Sequence, residues 1–119
     1  MAAKFLPLAV LLALLVGTVV NAVDFRVCTY TDAECSDDEE CESDDDGTCE
    51  DVDLEETFDD IGVRVMCGGS DGPHNVELYN DDDCDGDGVS KVVNSLTCTR
   101  SFDGIRSAFY FTVECGNFV

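Results

Sequence analysis

The chain contains one segment twice, and the clearer copy runs from Val76 to Gly86, VELYNDDDCDG. A similar segment lies about fifty residues upstream, and this spacing is typical of a duplicated structural unit. Tyr79 stands five positions before Cys84, as Tyr30 stands five positions before Cys35. The repeat therefore indicates two copies of one supersecondary element that share a single core.

The cysteines keep the same register in both copies. Cys49 follows Cys35 by 14 positions, and Cys98 follows Cys84 by 14 positions. The tightest spacing between cysteines is six positions, which argues against the close cysteine pairs of structural zinc sites. An even number of cysteines in a short secreted chain predicts four disulfides. The eight candidates are Cys28, Cys35, Cys41, Cys49, Cys67, Cys84, Cys98 and Cys115.

The repeat also suggests how these cysteines pair. Equivalent cysteines should form equivalent bridges, and Cys28 and Cys41 have no counterpart in the second copy. The resulting hypothesis joins Cys35 to Cys49, Cys84 to Cys98, Cys28 to Cys41, and Cys67 to Cys115.

The first 22 residues have the pattern of a secretory signal peptide. Lys4 precedes an apolar run from Phe5 to Val20, and small residues lead to a predicted cleavage after Ala22. The run is shorter than the about 20 apolar residues that a membrane span requires. We therefore expect a secreted, extracellular protein whose mature part, residues 23–119, is one small domain.

The composition is strongly acidic. The mature chain carries 27 acidic residues against 5 basic ones once Lys4 is removed, a formal charge of −22. Such a chain repels phosphate backbones and anionic lipids, so we expect neither nucleic acid nor a membrane surface as a partner. Cations and basic extracellular proteins remain.

Short alternating segments predict strands throughout the mature chain. They cover residues 24–30, 61–67, 76–79, 90–93, 96–99 and 108–115. The acidic stretch 32–56 is predicted to be a surface loop held by disulfides. The glycine-rich segment 68–73 separates a first copy, about 24–67, from a second copy, about 74–119. The pattern predicts an all-β, disulfide-stapled β-sandwich of two pseudo-symmetric motifs.

The second copy resembles the Greek-key motif of the βγ-crystallin superfamily. In that motif a glycine follows an aromatic residue by seven positions, as Gly86 follows Tyr79. A later turn carries acidic residues and a serine or threonine, as in Asp103–Phe109, and the first copy offers Tyr30 and then residues 59–65. Two such motifs form one domain in the superfamily, so the resemblance implies a Greek-key sandwich covering nearly all of residues 23–119.

The resemblance also implies calcium held between the two turns. Ser107 and the carbonyl of Ile105 would form one site, helped by Asp60 or a carboxylate of the other motif. Asp103 and the carbonyl of Ile61 would serve the second site. Oxygen ligands of this kind suit calcium.

Two observations bear on the calcium hypothesis. Val63 stands where the first copy needs a hydroxyl, so the resemblance implies one working site at most. The alternative interpretation is that Asp59, Asp60 and Asp103 only stabilise turns through hydrogen bonds to their own backbone.

Other sites find less support in the sequence. Asp81, Asp83 and Asp85 match the opening of an EF-hand loop, but Val92 stands where the closing glutamate belongs. The single histidine, His74, lies in a turn-like segment and is expected to be exposed. No nucleophile motif accompanies it, so we expect no enzymatic activity.

Two functions follow as hypotheses. The first is a secreted βγ-crystallin-like structural or calcium-binding module. The second is a secreted interaction protein, such as a toxin, inhibitor or effector, whose acidic loop binds a basic partner.

Overall fold

The computed structural model describes residues 23–54 and 59–116, which form eight strands. The strands are β1 (Asp24–Tyr30), β2 (Glu40–Asp45), β3 (Cys49–Leu54), β4 (Asp59–Met66), β5 (His74–Tyr79), β6 (Val89–Val93), β7 (Thr99–Arg100) and β8 (Tyr110–Gly116). The expected signal peptide, residues 1–22, lies outside the described residues. Within the described ranges, no helix is long and apolar enough to cross a bilayer.

The strands form two four-stranded sheets, and every pairing is antiparallel. Sheet A has the order β2-β1-β8-β7, and sheet B has the order β3-β4-β5-β6. This architecture confirms the prediction of a small all-β sandwich. The Greek-key order is not confirmed, because a Greek key places a fourth strand beside the first of three consecutive strands. Sheet B is instead a simple meander in sequence order.

A pseudo-two-fold relation connects the two copies. The first copy contributes β1 and β2 to sheet A and β3 and β4 to sheet B, and the second copy contributes β5 and β6 to sheet B and β7 and β8 to sheet A. A shift of 49 positions carries the pair Cys28↔Cys41 onto the pair Glu77↔Ser90, and both pairs are in register across their hairpins. Each sheet is therefore made of one hairpin from each copy.

The core lies between the sheets and is built by side chains at alternate strand positions. In β4 the inward residues Ile61, Val63 and Val65 are fully buried, as the alternating pattern of the sequence predicts. Facing residues of sheet A include Phe25, Val27, Phe111 and Val113. Each fully buried side chain of this size contributes about 1.5–3 kcal/mol to folding.

The acidic stretch was wrongly predicted to be a loop, because it contains both β2 and β3. Strand β2 pairs with β1 along its whole length, and the Cys28–Cys41 bridge lies across that pair. Strand β3 pairs with β4 and directs Val52 and Leu54 inward. Main-chain pairing and a few inward side chains thus outweigh the preference of the carboxylates for an open, solvated chain.

All eight cysteines form disulfides, but two of the four expected pairings are wrong. The structure confirms Cys28–Cys41 and Cys67–Cys115. It replaces the pairs Cys35–Cys49 and Cys84–Cys98 with Cys35–Cys98 and Cys49–Cys84, whose Cα atoms are 5.7 and 6.0 Å apart.

The crossed pairing follows from the division of each copy between two sheets. Cys35 lies in the β1–β2 turn of sheet A, whereas Cys49 begins β3 in sheet B. Their bridge partners lie beside the same sheets but belong to the other copy: Cys98 precedes β7 of sheet A, and Cys84 lies in the β5–β6 turn of sheet B. The pseudo-two-fold relation is kept, because a shift of 49 positions carries Cys35 and Cys49 onto Cys84 and Cys98, and so exchanges the two crossed bridges.

Tryptic digestion of the denatured, unreduced protein distinguishes the two connectivities. Cleavage after the five basic residues of the mature chain leaves peptide 27–64, which carries four cysteines. The crossed bridges attach it to peptides 65–91 and 92–100, and the Cys67–Cys115 bridge adds peptide 107–119. We expect mass spectrometry to find these four peptides in one covalent complex. Release of peptide 27–64 by itself before reduction would contradict the structure. A reduced digest is the control.

Candidate functional site

The residues predicted to bind calcium lie in different environments. Ile61 is fully buried in β4, and Ser107 is buried with its carbonyl accepting a hydrogen bond of 3.0 Å from the Ser101 hydroxyl. Asp103 is exposed in a turn, and Ile105 is half-buried after it. The predicted two-turn calcium site stays a prediction.

The remaining predicted ligand, Asp60, belongs to a cluster of carboxylates from three segments. Asp51 of β3, Asp60 of β4 and Asp82 of the β5–β6 turn each place one oxygen within 4.8 Å of the others. The bridge from Cys49 to Cys84 fastens this turn to the start of β3. We call these three residues the aspartate cluster.

A glycine of β4 lets the turn come this close. A Cβ atom at position 62 would collide with the carbonyl oxygen of Asp81, so any larger residue would displace the turn. The amide of Cys84 closes the turn with a hydrogen bond of 3.1 Å to the same carbonyl. The position of Asp82 beside β3 and β4 therefore depends on a covalent bridge and a close backbone contact.

The aspartate cluster is electrostatically unfavourable by itself. Partial burial, together with the charges of Asp60 and Asp53, raises the pKa of Asp51. A hydrogen bond with Asp81 raises the pKa of Asp82. Like charges this close favour the protonated form or the approach of a cation.

A second concentration of charge lies where β2 meets β3. Burial and a hydrogen bond to Asp44, followed by the charges of Asp44 and Glu42, raise the pKa of Glu50 to about 7. A hydrogen bond with Asp24 raises the pKa of Asp45. We call the two strands together the acidic edge; its acids are Glu40, Glu42, Asp44, Asp45, Glu50, Asp51 and Asp53.

The raised pKa of Glu50 predicts a pH-dependent stability. The folded state holds the Glu50 proton more tightly than the unfolded state, whose pKa is near 4.5, so the free energy of unfolding falls as pH rises from about 4.5 to about 7. Glu50→Gln removes this contribution. In urea titrations of the oxidised protein, we expect the stability gain of the variant over wild type to grow across that window and level off above it. A gain that does not change with pH would contradict the assignment.

A cleft opens between the sheets at one end of the acidic edge. Its volume is about 430 Å³, and it is lined by the ends of β1 and β3, the start of β2 and the segment before β8. Tyr30, Leu54 and Phe109 form its apolar floor, and all three are largely buried. Its rim carries four acidic side chains, which are Asp38, Glu39, Glu40 and Asp53. Sequence reasoning does not predict this cleft.

His74 is a core residue, contrary to the expectation that it is exposed. Its side chain is fully buried, and Nδ1 accepts a hydrogen bond of 3.1 Å from the Gly68 amide. Burial lowers the pKa of His74. The shift of 49 positions explains the location, because it places His74 where the first copy has the inward residue Phe25. The neighbouring Cys67 and Cys115 are bridged to each other and offer no thiolate.

Sequence reasoning identified Asp60 but missed its neighbours Asp51 and Asp82. The repeat contained the signal that could have found them, since it also permits a pairing of Cys49 with Cys84 between the two copies. That pairing brings the Asp81–Cys84 turn, and with it Asp82, next to β3. The expected bridge from Cys84 to Cys98 places that turn elsewhere.

Fold and site together define a small all-β sandwich with four disulfides and a concentrated face of carboxylates. Four disulfides in so small a domain are typical of extracellular proteins. Comparison with known proteins gives no match: no protein-family model, no curated protein and no solved structure matches the chain. The resemblance to βγ-crystallins therefore depends on the residues quoted above alone.

Proposed function

We propose that the chain is a secreted, non-enzymatic interaction protein that binds a basic protein partner through the acidic edge. The observation that carries this proposal is the crowding of carboxylates where β2 meets β3, where burial and the neighbouring acids together raise the pKa of Glu50 to about 7. A cationic partner relieves this repulsion on binding, and the field of the whole chain accelerates its approach.

The distribution of the basic residues supports the same conclusion. The ion pair Arg26–Glu114 joins β1 to β8, and the ion pair Arg64–Glu77 joins β4 to β5. Both pairs involve acids outside the acidic edge. The register with β1 places Glu40, Glu42 and Asp44 on the face of sheet A that carries Phe25 and Val27, directed toward β3 at the open edge of the sandwich. Asp44 is half-buried there, whereas Glu40 and Glu42 are exposed and remain accessible to a partner.

The absence of enzymatic activity is part of the proposal. The imidazole of His74 is enclosed by the core and the Cys67–Cys115 bridge, so it does not face a substrate at the surface. Because general acid–base catalysis requires direct contact with the reacting group, this histidine is poorly placed for it.

Binding of capped decalysine tests the proposal. We expect saturable binding that weakens steeply between low and physiological salt, because screening reduces attraction between exposed charges. The double variant Glu42→Gln/Asp44→Asn should weaken binding by about tenfold, which corresponds to about 1.4 kcal/mol.

The matched control removes the same charge from the second copy. Asp85→Asn/Asp87→Asn changes two exposed carboxylates of the β5–β6 turn. We expect it to reduce decalysine affinity much less than the β2 variant. Equal weakening by the two variants would show that the total charge, and not the acidic edge, attracts the peptide.

Calcium binding is a second candidate function, favoured by the aspartate cluster. Three carboxylate oxygens within 4.8 Å of one another are hard oxygen donors of the kind that calcium prefers. An ion there would join β3, β4 and the β5–β6 turn, and it would stabilise the fold by binding only the native state.

Thermal melts in millimolar calcium and in chelator test this candidate. Matched ionic strength and magnesium are the controls, because any divalent cation screens a chain of this charge. We expect a calcium-selective rise in Tm that Asp82→Asn removes and Ser107→Ala leaves unchanged. Loss of the rise in Ser107→Ala alone would favour the two-turn site implied by the βγ-crystallin resemblance. A calcium response equal to that of magnesium would contradict both sites.

A further inference from the structure

We propose that the cleft at the end of the acidic edge receives one lysine or arginine side chain of the basic partner. This inference depends on the proposed function and assigns a subsite to it. The required ligand is a cation on an apolar stem, because the cleft combines an apolar floor with an acidic rim. Lysine and arginine have this construction, since they bury their methylene groups against apolar surface and keep the charge at the tip.

The size and polarity of the cleft fit such a side chain. Its volume of about 430 Å³ lies within the range of roughly 300–1,000 Å³ that is usual for small ligand sites. Among the described residues that line it, four are acidic and none is basic. An anionic or purely apolar ligand would meet these carboxylates without a compensating charge.

The equivalent position of the second copy shows that the cleft is specific to the first copy. The shift of 49 positions carries Glu39 and Glu40 onto Gly88 and Val89. Gly88 lies directly against the ring of Tyr79, and Val89 packs against the core. The first copy instead has two carboxylates at these positions, beside a cavity.

Polar contacts hold the acidic rim in place. The hydroxyl of Tyr30 donates a hydrogen bond of 2.7 Å to Glu39, and the hydroxyl of Thr31 donates one of 3.1 Å to Asp38. These bonds fix two carboxylates beside the apolar floor before any ligand arrives. A preorganised rim lowers the entropic cost of binding a flexible cationic side chain.

The second copy contains an intramolecular example of the proposed contact. The ammonium group of Lys91 lies 5.4 Å from the centroid of the Phe102 ring, a cation–π geometry. Phe102 in turn packs edge-to-face on Phe111 of the core. The cleft of the first copy offers Tyr30 and Phe109 as aromatic surface, with carboxylates added at the rim.

The test uses capped seven-residue glycine–serine peptides with one central residue, which is lysine, arginine or norleucine. Each peptide is titrated into ¹⁵N-labelled oxidised protein at low salt. We expect the lysine and arginine peptides to shift the amide signals of Thr29, Thr31, Leu54 and Phe109. The norleucine peptide has the stem without the charge and should bind much more weakly.

A substitution that fills the cleft without changing charge separates the cleft from general attraction. Ala108 lines the cleft and is exposed, so Ala108→Leu should reduce lysine-peptide affinity by about tenfold without disturbing the core. Ala33→Leu makes the same change at an exposed alanine of the β1–β2 turn and is the matched control. Glu40→Val, which copies Val89, should also weaken binding, and a Tm measurement checks that each variant is folded.

The outcomes for the cleft and for the acidic edge can be distinguished. Unchanged lysine-peptide affinity in folded Ala108→Leu, or shifts spread over the whole surface, would overturn the cleft proposal. If decalysine still required Glu42 and Asp44, the proposed function would stand without the cleft. If decalysine did not bind at all, the result would contradict the proposed function, and with it the cleft proposal that depends on it.

Discussion

The structure depends on a covalent constraint that opposes electrostatic repulsion. A chain of net charge −21 repels itself, and its most acidic strands, β2 and β3, lie beside each other at the edges of the two sheets. The bridges Cys35–Cys98 and Cys49–Cys84 close loops of 63 and 35 positions. By the chain-entropy argument each contributes roughly 4 kcal/mol by restricting the unfolded chain. Such bridges permit a density of carboxylates that a small apolar core alone would hold with difficulty.

The duplication gives the two copies different chemistry on the same backbone plan. Both turns hold a cysteine with positive φ, Cys35 and Cys84, and each sends its bridge to the other copy. At one pair of equivalent positions the second copy has Gly88 and Val89, which pack tightly, whereas the first copy has Glu39 and Glu40. This position is therefore closed in the second copy, and it is open and charged in the first.

Much of the fold could be predicted from the sequence because apolar alternation reports directly on burial. The pattern of Ile61, Val63 and Val65 locates β4, and the alternation from Phe109 to Cys115 locates β8. Strand β2 could not be predicted, because its side chains are almost all exposed and its order comes from pairing with β1. The alternation of apolar residues indicates only which side chains are buried. Strand β2 is stabilised instead by main-chain pairing with β1 and by the Cys28–Cys41 bridge.

The candidate site was harder to predict because it depends on contacts between distant segments. The resemblance to βγ-crystallins pointed to Asp60, but its neighbours Asp51 and Asp82 come from β3 and the β5–β6 turn. Their proximity requires the crossed bridge Cys49–Cys84, and spacing within one copy favours local pairing instead. The cleft is a property of two sheets meeting, so no single segment encodes it.

The charged character of β2 has a further consequence for the protein at high concentration. An edge strand offers unpaired main-chain groups to any neighbouring chain, and sheets can grow into aggregates along such edges. A second molecule that paired with β2 in this way would bring its own row of carboxylates against Glu40, Glu42, Asp44 and Asp45. The residues that we propose as the binding surface for a cationic partner would therefore also oppose the extension of one molecule's sheets by another.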